Sequence, residues 1–202
     1  MQDDRQRKAR SARTEVSMQL FRSIIGTPIG EMLALSSDEG LCALEFTTVA
    51  GPKSGEARLT RLNARLARWF PPHDIVDIET PTIARTRRWL AAYFDGIGAA
   101  IGDLPLDMRG APFEKRVWSA LTQIPPGATT SYGAIARALQ SEGASRAVGA
   151  ANGANPVAII VPCHRVVGAN GSLTGYGGGL DRKTWLIDHE QRWRHDPQPA
   201  LF

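Results

Sequence analysis

The chain has 202 residues, 43% of them hydrophobic and 22% charged, which leaves room for one large domain or two small ones. That composition excludes a disordered, collagenous or coiled-coil protein, and no apolar run approaches the ~18 residues of a membrane span. The net charge of +4 lies entirely in the second half: residues 1–108 hold 14 basic and 14 acidic side chains, residues 109–202 hold 10 and 6.

Residues 1–17 are polar and charged and lack the apolar stretch of a secretory signal, so a flexible tail is expected there. From Met18 to Phe46, short β-prone runs alternate with turn residues. Gly26-Thr27-Pro28-Ile29-Gly30 and Ser37-Asp38-Glu39-Gly40 divide this stretch into a three-strand antiparallel meander. Leu62, Leu66 and Phe70, four apart, predict an amphipathic helix stopped by Pro71-Pro72. A second helix is expected over 82–94, with Trp89, Leu90 and Tyr93 inward and Arg85, Arg87 and Arg88 outward. Residues 18–95 thus read as an N-terminal α/β domain. A Gly- and Pro-containing linker, 96–111, joins it to a second domain over 112–190, and residues 191–202 form a C-terminal tail.

In the second domain Phe113, Val117, Leu121 and Ile124 recur at helical spacing until Pro125-Pro126-Gly127 stops the helix. Ser131 is placed to cap a short helix with Tyr132, Ile135, Ala136 and Leu139 on one face. After a turn containing Gly143, Ser145 can cap another helix over 146–152. Two short helices across such a turn make a helix-turn-helix pattern. The second helix is thin, since Arg146 is followed only by Ala147, Val148, Gly149, Ala150, Ala151 and Asn152. Small residues serve close helix packing; alternatively they let a helix enter the narrow minor groove of DNA with Arg146 as a wedge. Twenty of the 24 basic residues are Arg, the side chain that forks onto phosphates and stacks on bases. Charge alone permits a nucleic-acid partner without requiring one.

The two cysteines, Cys42 and Cys163, exclude a disulfide framework or a four-Cys zinc site and point to a reducing compartment. Cys42, inside a meander strand, reads as a small core residue. Cys163 reads differently. The run Ala158-Ile159-Ile160-Val161 looks like a buried apolar strand, Pro162 marks its end, and His164 and Arg165 follow the thiol directly. Both can favour a thiolate, and His164 can draw off its proton. An imidazole base needs a third group to orient it. Asp188-His189-Glu190 offers candidates among which the residues alone do not choose.

Ile160-Val161-Pro162-Cys163-His164-Arg165-Val166 resembles the active-site signature of the O6-alkylguanine-DNA alkyltransferases. The likeness extends, in the family's order, through Pro112-Phe113, Val117-Trp118, Ile124-Pro125, Thr130-Ser131-Tyr132, Arg146-Ala147-Val148-Gly149, Asn155-Pro156-Val157, Gly168 to Gly179, Trp185-Leu186 and His189-Glu190. It is strong over 104–190 and looser over 18–94. The resemblance implies an α/β protein with an N-terminal ribonuclease-H-like domain and a C-terminal winged-helix domain that carries the helix-turn-helix. It implies transfer of an alkyl group from guanine O6, with thymine O4 as a further lesion, in duplex DNA to Cys163, once per chain, with no cofactor and no metal.

The same resemblance assigns roles residue by residue. Cys163 matches the alkyl acceptor, His164 the base acting through a water, and Glu190 the carboxylate that orients it. Asn155 matches the brace of the cysteine turn, and Tyr132 the phenol that donates to guanine N3. Val166, Tyr176 and Gly177 match the base pocket. Arg146 matches the finger that replaces a flipped nucleotide, with Ser145, Ala147, Gly149, Ala150 and Asn152 forming the DNA-facing surface. Glu114 departs from the family, which commonly has Gln there. The implied partner is duplex DNA bearing O6-alkylguanine, with no membrane association; a cytoplasmic monomer is expected. Competing readings are a turnover hydrolase using Cys163, His164 and Glu190, and a non-catalytic lesion-binding protein. The hydrolase leaves Tyr132 and Arg146 unexplained, and lesion-binding relatives lack the cysteine. A phosphate loop at Gly175 to Gly179 fails because Arg182, not Gly, precedes Lys183.

Overall fold

A computed structural model describes residues 17–48, 55–70, 72–97 and 104–195. The expected N-terminal tail therefore lies, apart from Ser17, outside the described residues. Strands β1 (Met18–Ile25), β2 (Met32–Ser36) and β3 (Leu41–Phe46) form the antiparallel meander. The alternation of their side chains splits the burial between two faces. Leu33 and Leu35 of β2 face helix α1 (Gly55–Trp69), where they meet Leu62, Leu66 and Phe70. Met32 and Ala34 of the same strand face the main core. Both faces are covered, which is why β2 and β3 are buried at every position.

A fourth strand, β4 (His73–Val76), pairs parallel with β1 and gives the sheet order β3-β2-β1-β4. It was not expected, because four residues with two polar ones carry too little periodicity to register. Helix α2 (Pro81–Phe94) starts where Thr80 Oγ1 accepts from the Ile83 N–H at 3.2 Å and Pro81 occupies the first turn. Its buried stripe is Ile83, Thr86, Leu90 and Tyr93.

Residues 104–111 are not a loose connection. They run along β3, with Leu41 N–H donating to Pro105 O at 2.8 Å and Asp107 N–H to Leu41 O at 3.0 Å. A Cβ on Gly40 would stand 2.7 Å from the Pro105 backbone, so only glycine allows this approach. The rest of the expected linker, 98–103, lies outside the described residues.

The second half holds α3 (Pro112–Thr122), α4 (Tyr132–Ala138), α5 (Ser145–Gly153) and α6 (Leu180–His195), with a short parallel pair β5 (Thr130–Ser131) and β6 (Val166–Val167). Ser131 Oγ caps α4 by accepting from Ala134 N–H at 3.1 Å. Ser145 does not cap α5; Ala144 occupies that position and makes no side-chain bond. Glu114, the family departure, accepts from Ala111 N–H at 2.7 Å and so closes the start of α3. Helix α6 continues five residues past Glu190, so the expected C-terminal tail begins inside a helix; residues 196–202 lie outside the described ones.

A single core cluster joins the halves: Met32, Leu44 and Tyr93 from the first pack with Val117, Trp118 and Leu186 from the second. Burying each such side chain contributes roughly 1.5–3 kcal/mol. Among the described residues no helix is long and apolar enough to cross a membrane.

Candidate active site

The segment leading to the thiol corrects the strand expected over Ala158–Val161. Only Val157 bridges to Leu44 of β3, with Leu44 N–H donating to Pro156 O at 2.8 Å and Ala158 N–H to Leu44 O at 2.9 Å. The chain then turns, and Ile159 takes a left-handed conformation (φ 69°), an expensive choice for a β-branched residue. Asn155 holds that turn. Its Oδ1 accepts from Val157 N–H at 3.0 Å and its Nδ2 donates to Val161 O at 2.8 Å. An apolar run buried between two prolines mimics a strand in sequence, but Pro156 and Pro162 cannot donate to a ladder.

Cys163, His164 and Arg165 form one 3₁₀ turn, all three buried. His164 Nε2 lies 2.9 Å from Glu190 Oε1. Burial by itself raises the Glu190 carboxyl, but the hydrogen bonds and charges of His164 and Arg165 outweigh it and hold the group well below the usual carboxylate range. An ionised carboxylate only accepts, so Nε2 carries the imidazole hydrogen and Nδ1 carries the lone pair. Burial keeps His164 below its ordinary pKa against the pull of Glu190. The neutral ring thus presents Nδ1, which is buried and meets no hydrogen-bond partner among the described residues.

Glu190 is saturated. Oε1 also accepts from Arg165 Nη2 and Tyr93 Oη, each at 2.8 Å; Oε2 accepts from Arg165 Nε at 2.9 Å and Gly127 N–H at 3.0 Å. Arg165 donates its remaining Nη1 to Ile124 O. Of the three residues left open on α6, Glu190 is the one that reaches the imidazole. Asp188 is exposed, and His189 Nε2 instead pairs with Tyr93 O at 2.9 Å.

Lys183 is fully buried nearly two turns before Glu190 on the same helix. Its Nζ donates to Val166 O at 2.6 Å and Thr174 O at 2.7 Å, tying β6 to the loop before the glycine run. Burial lowers its pKa and the nearby Cys163 opposes that shift.

A cavity of about 290 Å³ opens at the thiol. Cys163, Asn152, Asn155, Tyr176 and Gly177 line one side, and Glu45, Arg61 and Arg65 of the first half line the other. Arg65 bridges the halves, reaching Glu45 Oε1 at 2.9 Å and Ala154 O at 2.8 Å. Tyr132 and Val166 are not among the lining residues. Tyr132 Oη instead pairs with Thr174 Oγ1 at 3.0 Å, and Val166 is buried beneath the turn.

Helix α5 presents Ser145, Arg146, Ala147 and Ala150 on its exposed face, with Gly149 half-buried against Tyr132. Asn152 does not belong to that face. It is buried, and its Nδ2 donates to Cys163 O at 3.3 Å, so it braces the turn rather than facing outward. The i, i+3, i+4 spacing with Val148 and Ala151 carried this signal in the sequence. Sequence reasoning also missed Tyr93 and Lys183 as neighbours of the site, and placed Arg165 beside the thiol without its bonds to Glu190. On α6, Lys183 and Glu190 share the buried stripe with Leu186 and Ile187, and two charges on an apolar stripe mark a built site.

A family model described as the DNA-binding domain of 6-O-methylguanine DNA methyltransferase matches residues 112–192. The methylated-DNA–protein-cysteine methyltransferase of Methanosarcina acetivorans is 42% identical over 171 residues, which cover 85% of this chain and 98% of that protein. The chain belongs to this family. The methyltransferase of the same name from Mycolicibacterium paratuberculosis is 58% identical over 108 residues, covering 54% of this chain and 64% of that relative, just under two thirds of its length. The crystal structure of Mycobacterium tuberculosis OGT in complex with DNA superposes with a TM-score of 0.64 at 38% identity, covering 86% of this chain and 93% of that one. The mixed α/β architecture is thus that of known methyltransferases of the family.

Proposed function

We propose that this methyltransferase-family chain reverses alkylation damage directly, moving an alkyl group from guanine O6 in duplex DNA to Cys163. The observation that carries the reading is the buried Cys163-His164 turn whose imidazole is fixed by Glu190 with Nδ1 left as the acceptor. In the step, the Cys163 proton passes through a water to His164 Nδ1. The thiolate sulfur then attacks the alkyl carbon, an S–C bond forms, the C–O6 bond breaks, and its electron pair returns to the purine. Tyr132 donates to N3 as that charge develops. Atoms and charges balance among thiol, imidazole and guanine without a cofactor. The thioether has no leaving group for a second round, so each chain acts once. Thymine O4 offers the same alkyl carbon and is a second substrate of the same step.

In this reading residues 18–95 form a ribonuclease-H-like domain and residues 112–190 a winged-helix domain whose thin helix α5 enters the minor groove. Ser145, Ala147, Gly149 and Ala150 allow the close approach, and Arg146 fills the stack left by the flipped nucleotide. Tyr176 and Gly177 contact the base, and Val166 backs the turn that carries the thiol. The protein acts as a monomer in the cytoplasm, where its two thiols stay reduced. A relative solved with DNA and a matching family model named for DNA binding support the partner.

Intact-mass measurement after incubation with duplex DNA containing O6-methylguanine tests the function. One added CH₂ on Cys163, with no further turnover, is the expected result; repeated turnover identifies the hydrolase instead. Arg146→Ala is expected to slow duplex repair about 10- to 100-fold, because flipping is worth a few kcal/mol and each 1.4 kcal/mol is tenfold. Reaction with free O6-methylguanine needs no flipping and stays near the parent rate. Equal losses on both substrates would remove the finger from the mechanism.

A further inference from the structure

We propose that Tyr93, from the N-terminal half, is a positioning residue that tempers the basicity of His164 through its hydrogen bond to Glu190. The proposal rests on the alkyl-transfer reading of Cys163 and His164. Tyr93 Oη donates to Glu190 Oε1 at 2.8 Å, the same oxygen that holds His164 Nε2 at 2.9 Å. The phenol and the imidazole therefore compete for one carboxylate oxygen.

The position of the hydroxyl is over-determined. Tyr93 is 1% exposed on α2, stacked with Trp89 at 5.4 Å and met edge-on by Phe94 at 5.3 Å and Trp193 at 5.0 Å. Its backbone carbonyl pairs with His189 Nε2, which is itself stacked on Trp185 at 4.6 Å. Packing alone would be served by phenylalanine. The hydroxyl instead reaches a carboxylate that already accepts both forks of Arg165 and the Gly127 amide.

Chemistry decides what that hydroxyl does. Burial and the adjacent Glu190 push the Tyr93 phenol far up, so it stays a neutral O–H donor at every working pH. It withdraws charge from Oε1 without adding any. Less charge on Oε1 pulls less on the Nε2 hydrogen, and a weaker pull makes Nδ1 less basic. The other groups facing this pair are Arg165 and Cys163 on the same turn, Lys183 on α6, His189 on α6, whose ring tilts against Tyr93 at 5.6 Å, and Tyr176, whose ring meets the His164 ring edge-on at 6.3 Å. Arg165 and Lys183 act in the same direction as Tyr93 by disfavouring an imidazolium. His164 must be neutral to take the thiol proton. Tyr93 thereby extends the active range toward lower pH, and the N-terminal half has a chemical task besides packing.

The test is the pH dependence of single-turnover methyl transfer from O6-methylguanine duplex by the full chain. Tyr93→Phe removes one oxygen and returns more charge to Oε1, so the imidazole becomes more basic. The acid limb of the profile is expected to move up by about one pH unit, with a several-fold loss of rate at pH 6 to 7. In a Glu190→Gln background the same change moves nothing. Trp185→Phe loosens the same aromatic cluster without touching the carboxylate and leaves the limb in place. Placing 3-fluorotyrosine at position 93 makes a stronger donor that still packs, and moves the limb down; this arm stands even if Tyr93→Phe folds poorly. An unmoved acid limb in both position-93 variants, while the parent still acquires its methyl group, overturns the role of Tyr93 alone. Absence of any adduct on the parent Cys163 overturns the alkyl-transfer reading beneath it.

Discussion

Cys163→Ala is expected to take up no alkyl group and still to bind duplex DNA with nearly parent affinity. The loss is total rather than partial because no second thiol can substitute. Cys42 sits in β3, 2% exposed, and burial pushes its thiol up to about 11. At pH 7 that leaves a thiolate fraction on the order of 10⁻⁴. The change deletes one buried sulfur and costs only about 1 kcal/mol of stability, so the variant folds. In the proposed reading DNA affinity rests on α5 and on phosphate contacts, which the substitution leaves alone. Intact mass after incubation with O6-methylguanine duplex, beside a salt-controlled binding titration, separates the two effects. Label on the variant, or mass on Cys42, would end the assignment of Cys163 as acceptor.

Why Cys163 and His164 were legible while much of their setting was not follows from how far each signal travels along the chain. The thiol and imidazole are adjacent, between a proline and an arginine, so their chemistry is written in one short run. The meander was legible from turn residues, and α1 to α4 from four-residue spacing of apolar side chains. The turn over Ala158–Val161 was not, because its cause is a brace from Asn155 and a left-handed Ile159 rather than any local pattern. Strand β4 is too short to show periodicity, and it exists because β1 offers an edge. Glu190 could be chosen from its neighbours only through the family resemblance. Residues alone do not reveal that α6 turns it toward a histidine 26 positions away and a tyrosine 97 positions away. Contacts at such separations carry no sequence signature of their own.

Glu190→Ala is the second large change, and here stability is expected to fall together with activity. The parent carboxylate accepts five hydrogen bonds, from His164, Tyr93, Gly127 and twice from Arg165. Removing it leaves the Arg165 guanidinium buried and unpaired, which costs about 3–5 kcal/mol. For a protein of this size that lowers the melting temperature by about 6–20 °C. The imidazole also loses the partner that fixes its tautomer, so alkyl transfer slows by about 10²–10⁴-fold.

Acid unfolding gives an independent check with a definite sign. His164 and Glu190 both have folded pKa values below their unfolded ones, so the unfolded chain binds more protons and stability falls as pH falls. The His164 contribution is complete above its unfolded value of about 6.5 and erodes below it; the Glu190 contribution is complete above about 4.3 and erodes on further acidification. The two titrate as a coupled pair. Urea midpoints from pH 7.5 to 3 are therefore expected to decline in two stages for the parent. Glu190→Gln keeps the shape but not the charge, so its curve starts lower at neutral pH and loses the stage below about 4.3. A Glu190→Ala protein that melts with the parent, or a Glu190→Gln curve parallel to the parent's throughout, would show that the buried carboxylate neither holds the turn nor orients the imidazole.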